Sequence, residues 1–176
     1  MMSRPQIEPE RLNDRAMVYD IHRAAFPTSA EADLVDRLRA NGRAVISLGV
    51  RDADRLVGHV LFSPVTIHEL AVGGAAVAHG LGCAPLAVLP AFQRRGIGTA
   101  LMAAGLERCR LKDTPLVVVL GDPAYYARFG FEPASHYRLE SEYNAGDAFQ
   151  VLVLKPDGLP AQGGLVRYAQ EFAGLD

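Results

Sequence analysis

Apolar and polar positions alternate with two different periods along this chain, and the changes of period mark its elements. From Leu12 to Ala40 apolar residues recur every three to four positions, first Ala16, Tyr19, Ile21 and Phe26, then Leu34, Val35 and Leu38. That spacing predicts two amphipathic helices broken at Pro27-Thr28. Asn13 or Asp14 can cap the first, Ser29 with Glu31 and Asp33 can start the second, and Asn41-Gly42 offers a left-handed stop. The β-rich runs from Val45 to Val50 and from Leu56 to Phe62 flank the polar turn Arg51-Asp52-Ala53-Asp54, which predicts an antiparallel hairpin. Residues 66–80 have no clear period. Val65-Thr66-Ile67 extends a strand, while Gly73-Gly74 and the alanines beyond suggest an irregular excursion.

The run from Leu81 to Leu89 is almost wholly apolar, as expected of a strand buried on both faces, yet it contains Pro85. A proline there predicts a bulge or a splayed edge that presents the backbone of Leu86, Ala87 and Val88 to a ligand. Ile97, Leu101, Met102, Leu106 and Cys109 then recur at helical spacing, and the run from Leu116 to Leu120 reads as a buried strand, completing a β-loop-α-β unit. A short helix from Tyr125 to Phe129 ends at Gly130, strands are expected near Tyr137 to Leu139 and Phe149 to Leu154, and the tail is polar and glycine-rich over 156–164. No repeat, low-complexity block or linker interrupts the 176 residues, so they read as one domain, 1–176.

Composition narrows the class. With 49% hydrophobic and 22% charged residues the chain is of ordinary globular type and long enough to fold without a disulfide or metal staple. Cys83 and Cys109 lie in apolar or helical runs and read as reduced, buried thiols. His22, His79 and His136 make no metal-ligand pattern, so no metal is expected. The start Met1-Met2-Ser3-Arg4-Pro5-Gln6 has no apolar leader and no run approaches a membrane span, which predicts a cytoplasmic protein. A net charge of −2 gives no general attraction to nucleic acid or anionic lipid, so an anion site must be local.

One stretch has that local character. In Leu89-Pro90-Ala91-Phe92-Gln93-Arg94-Arg95-Gly96-Ile97-Gly98-Thr99-Ala100 a buried strand meets a helix through two glycines and two arginines. Amides at a helix N-terminus carry positive partial charge outward, glycines let a phosphate approach, and Arg94 and Arg95 add charge from the rim. The spacing lacks the Gly-Lys-Ser/Thr of a P-loop and the third glycine of a dinucleotide fingerprint. Read alone, the loop fits either an anion cradle or a close-packed helix start.

At Gln93 to Gly98 the chain resembles the GNAT superfamily of N-acetyltransferases, whose cofactor loop reads Gln/Arg-x-x-Gly-x-Gly/Ala after a bulged strand. Tyr126-Ala127-Arg128-Phe129-Gly130-Phe131 is similar to the family's Tyr-x-x-x-Gly-Phe segment, and the element order agrees over about residues 6–155. One departure is Val119 followed by Gly121-Asp122-Pro123, where many members carry an asparagine about seven residues before the tyrosine. The resemblance implies an α/β fold: a mixed, mostly antiparallel sheet of six or seven strands, split near Pro85, flanked by helices and holding acetyl-CoA in the split.

The implied function is transfer of the acetyl group of acetyl-CoA to a primary amine of a small molecule or protein by direct attack. The implied cofactor contacts are Ala87, Val88 and Leu89 at the thioester and Arg94, Arg95, Gly96, Ile97, Gly98 and Thr99 at the pyrophosphate, with Tyr126 as proton donor to the departing sulfur. Tyr125 should point away, since neighbouring helix positions lie about 100° apart. Glu31, His59, His68 and Glu69 fall in regions that can border an acceptor, Glu31 being the favoured base because the first two helices line that groove in the family. Segments 26–36, 64–80 and 136–147 would set acceptor choice. A homodimer is left open, and two rivals remain: a non-catalytic acyl-CoA sensor, and a nucleotide-phosphate binder using the same loop.

Overall fold

The computed structural model describes residues 5–175; the leader-free reading of Met1 to Arg4 and the last tail residue, Asp176, lie outside them. The fold is mixed α/β with mostly antiparallel strand pairing. The chain packs as two compact units. One takes the chain up to Ser63, Ala84–Arg108 and the chain from Gln170 onward; the other takes Pro64–Cys83 and Cys109–Ala169.

In the first unit, β1 (Gln6–Pro9) pairs antiparallel with β2 (Ile46–Asp52), and β2 with β3 (Arg55–His68), in register Ile46↔Phe62 to Asp52↔Arg55. The hairpin turn is tighter than the sequence suggests: Arg51 and Asp52 stay in the strand and Ala53 takes a φ of 52°. Helices α1 (Arg15–Ala25) and α2 (Ala30–Ala40) present Val18, Ile21, Leu34, Val35 and Leu38 to the core, each at most 1% exposed. Burying a side chain of this size stabilises by about 1.5–3 kcal/mol, so this face holds both helices. Asp14 precedes α1 without capping it; its carboxylate accepts instead from the Arg11 amide and pairs with Arg51. The tail closes this unit, as the buried Glu171 carboxylate accepts from Asn41 Nδ2 at 2.7 Å and Arg43 Nε at 3.1 Å.

In the second unit, the end of β3 pairs antiparallel with β9 (Gly164–Arg167), and β9 pairs parallel with β7 (Leu139–Ser141). The middle of β4 (Ala76–Val88) runs parallel to β5 (Leu116–Leu120), with Leu81↔Val117 and Gly82↔Val118 in register. β5 pairs antiparallel with β8 (Phe149–Val153), and β8 with β6 (Glu132–Pro133). The unreadable stretch 66–80 is thus two strand ends joined by a turn, closed by hydrogen bonds from the Glu69 amide to the Ala75 carbonyl and from the Gly74 amide to that of Ala71. Tyr137 lies in the 3-10 turn Ala134–Tyr137 rather than in a strand. Nine strands are present among the described residues, more than the six or seven expected, because β1, β6 and β9 have four, two and four residues, too few to show a period.

Candidate active site

Leu81 to Val88 becomes the later part of β4, with Leu89 just beyond its end, and the Ala84-Pro85 peptide there is cis. Strand geometry sorts its last backbone groups. The Leu89 amide donates to the Val57 carbonyl at 2.9 Å, so this peptide faces β3. Ala87 faces β3 as well, since its carbonyl lies 3.3 Å from where a Cβ on Gly58 would sit. Polar groups of successive strand residues point to opposite edges, so Val88 faces away from β3. Its carbonyl accepts from Gln93 Nε2 at 3.0 Å. Of the three backbone groups expected to meet a thioester, Leu89 is therefore committed elsewhere, Ala87 is turned to the neighbouring strand, and the Val88 N–H is the one directed outward.

After the 3-10 turn Pro90–Phe92 the chain passes through Arg94 at φ 60° and Gly96 at φ 78° into α3 (Ile97–Leu111). Nothing lies within 4 Å of a Cβ built on Gly96, so glycine is used there for its backbone angle and the space beside it is open. The Ala100 amide donates to the Gly96 carbonyl at 2.9 Å, so the helix begins at this glycine and the amides of Ile97 and Gly98 lie in its first turn. Ile97 is buried and anchors the turn, whereas Arg94 and Arg95 are exposed. The Arg95 guanidinium lies 5.2 Å from the Phe92 ring centre and that of Arg55 lies 5.6 Å from it. Arg55 is a cation beside the loop that sequence reasoning missed, because it stands forty residues upstream in a hairpin.

Tyr126 closes helix α4 (Pro123–Tyr126), in the second unit. Asp122 caps this helix, its Oδ1 accepting the Ala124 amide at 2.9 Å, and Gly130 at φ 90° stops the following 3-10 turn. Gln150, buried in β8, donates to the Gly121 carbonyl and the Gly121 amide donates to that of Ala148, which fixes the entry to the helix. A Cβ at Gly121 would lie 2.5 Å from Tyr126 Cε2. The turn that replaces the family's asparagine therefore makes room for this ring. Tyr126 packs against Phe131 with ring centres 5.8 Å apart. Burial, then the neighbouring Cys83 and Tyr125, push its phenol well above the usual range, so it is protonated at neutral pH. Tyr125 lies edge-on to it at 89° and has the Arg128 guanidinium 4.4 Å from its ring centre. The two rings meet edge to face, with centres 5.0 Å apart.

The acceptor candidates separate sharply. His59 is fully buried: its Nδ1 bonds His22 Nε2 at 2.9 Å and its Nε2 bonds Ser47 Oγ at 2.8 Å. Ser47 donates in turn to Glu10, which pairs with Arg39. His59 is a core histidine in a polar chain, and sequence spacing gave no sign that His22 and Glu10 join it. His68 is held by Thr66 and the Gly74 carbonyl within its own hairpin, and Glu69 is exposed. Glu31, in the first turn of α2, has a buried Oε2 without a hydrogen-bond partner. Among the described residues no cluster of histidine, cysteine or acidic side chains could hold a metal, and no helix is long and apolar enough to cross a membrane.

A family model described as an acetyltransferase (GNAT) domain matches residues 6–134. The chain belongs to the GNAT acetyltransferase family. This GNAT chain is 37% identical over 152 residues, covering 85% of it and 87% of the relative, to the uncharacterized N-acetyltransferase YhbS of Escherichia coli K12. Its fold is similar to that of E. coli YhbS in complex with CoA, with a TM-score of 0.86, 35% identity and coverage of 96% and 92% of the two chains. It is also similar to a GNAT family acetyltransferase of Brucella melitensis in complex with acetyl-CoA, with a TM-score of 0.77, 34% identity and coverage of 96% and 98%.

Proposed function

We propose that this chain transfers the acetyl group of acetyl-CoA to a primary amine of a small molecule or a protein by direct attack. The observation that carries the reading is the α3 entry loop. It has an open left-handed glycine, the N-terminal turn of a helix and two exposed arginines, in a chain whose relatives bind CoA and acetyl-CoA. These groups fit a pyrophosphate: Gly96, Ile97, Gly98 and Thr99 supply amides, and Arg94 and Arg95 supply charge. We take both units as one acetyltransferase domain, which is supported by a family match running from residue 6 to 134 through each. The buried, unpaired thiols of Cys83 and Cys109 support a reducing, cytoplasmic setting.

In this mechanism the amine nitrogen forms a bond to the thioester carbonyl carbon, charge develops on the carbonyl oxygen, and the carbon–sulfur bond breaks. The Val88 N–H stabilises that oxygen, while the Ala87 and Leu89 backbone flanks the acyl group. Tyr126, protonated at neutral pH, gives its proton to the departing sulfur. Glu31 takes the proton that the amine loses. Acetyl-CoA should raise the melting temperature, and a panel of primary amines should release free thiol in its presence. Absence of any thermal shift at millimolar acetyl-CoA sinks the reading. Binding without thiol release from any amine supports the non-catalytic sensor instead.

A further inference from the structure

We infer that Gln93 is a positioning residue for acetyl transfer: it locks the end of β4 so that the Val88 N–H stays aimed at the thioester oxygen. The inference rests on the acetyl-transfer reading above and adds a residue to it. The Val88-Leu89 peptide is held at both polar ends, its carbonyl by Gln93 Nε2 at 3.0 Å and its N–H by the Val57 carbonyl at 2.9 Å. A peptide plane bonded on opposite edges cannot rotate without breaking a bond. On the upstream side, the Ala87 carbonyl rests against Gly58. Val88 therefore sits between two fixed peptides, and its outward N–H inherits their orientation.

The lock also sets a spacing. Gln93 is extended, at φ −66° and ψ 160°, and leads directly into Arg94 at φ 60° and the phosphate loop. One side chain thus ties the loop for the pyrophosphate to the strand end for the carbonyl. Misplacing a reacting group by about 1 Å costs on the order of a hundredfold in rate, so a tie of this kind acts on turnover rather than on affinity. Of Val88's two outward groups, the carbonyl is taken by Gln93 and the N–H is left for the substrate.

The chemistry of the lock makes it testable. Gln93→Glu keeps the shape but replaces a donor by a carboxylate that faces the Val88 carbonyl with like partial charge, whereas Gln93→Arg restores N–H donors. In Gln93→Glu, kcat for thiol release should fall about tenfold or more with the acetyl-CoA Kd within about threefold of wild type and the melting temperature unchanged. Gln93→Arg should recover most of kcat. If Gln93→Glu does not fold, Gln93→Leu, which lacks the donor without adding charge, takes its place in the same comparison. Wild-type kcat in the donor-less variant, a loss confined to Kd, or failure of Arg to outperform Glu each overturn the inference. Failure of the wild type to bind acetyl-CoA or release thiol is a separate result, and it overturns the function on which the inference rests.

Discussion

Acid should be the weak point of this fold, and His22 the residue through which it acts. His22 is fully buried on α1, bonded through Nε2 to His59, with its Nδ1 buried and without a hydrogen-bond partner. Burial, reinforced by the charge His59 would carry, holds its pKa near 3 against an ordinary 6.5; the opposing pull of Glu10 is smaller. The unfolded chain therefore binds one more proton than the folded one between those two values, and stability must fall as the pH is lowered through that window, by ~1.4 kcal/mol per unit. At about pH 4.5 the loss from this one ring reaches about 2.7 kcal/mol, a sizeable part of the 5–15 kcal/mol typical of a domain. Glu10 acts in a lower window. Burial raises its pKa, but the nearby His59, the hydrogen bond from Ser47 and the charge of Arg39 outweigh burial and bring it down to about 2, so its contribution is lost only below its ordinary 4.5. His59 is shifted down as His22 is, chiefly by burial, and adds to the same acid loss. Urea unfolding at about pH 7 and about pH 4.5, on wild type and on His22→Gln, isolates the first term; glutamine keeps an amide donor for His59 Nδ1 but does not titrate. The wild type should lose about 2–3 kcal/mol more than the variant between the two conditions. Equal losses would refute the reasoning, because they would mean that His22 titrates in the folded chain as it does in the unfolded one.

Tyr126→Phe should lower kcat by about 10²–10⁴ with little change in acetyl-CoA affinity, while Tyr125→Phe retains most activity; steady-state thiol release on both variants decides which tyrosine serves the sulfur. Gly105→Ala would press a methyl group into the ring of fully buried Phe62, so a destabilisation of about 1–3 kcal/mol is expected, visible as a melting temperature lower by about 2–4 °C for each kcal/mol. Glu171→Ala removes the acceptor shared by Asn41 and Arg43 and should destabilise by about 1–3 kcal/mol in the same assay; an unchanged melting temperature would mean that the tail does not hold its unit together.

What could be read from the sequence depended on how local the signal was. The helices α1, α2 and α3 and the strand β5 follow from runs long enough to show a period, and the loop from Gln93 to Thr99 follows from contiguous residues of known chemistry. β1, with Ile7 its sole aliphatic residue, shows no period of its own; its place is fixed by pairing with β2, more than thirty residues away in the chain. The same limit hid Arg55, brought to Phe92 by folding, and the chain from Glu10 through Ser47 and His59 to His22, whose members come from the loop after β1 and from β2, β3 and α1. Choosing Val88 from three equivalent backbone positions needed the Leu89 hydrogen bond to Val57, and strand alternation in sequence cannot say which edge is which.

The first unit is assembled from segments that lie on both sides of the second in sequence. Its other residues have been synthesised once Arg108 is made, but Asn41 and Arg43 wait for Glu171, which follows only after every residue of the second unit has been added. A nascent chain released before Gln170 would carry the second unit entire and leave the first without its last segment. Order of synthesis and order of completion therefore run in opposite directions, and a stop codon just before Gln170 would damage the unit made earlier rather than the one made later.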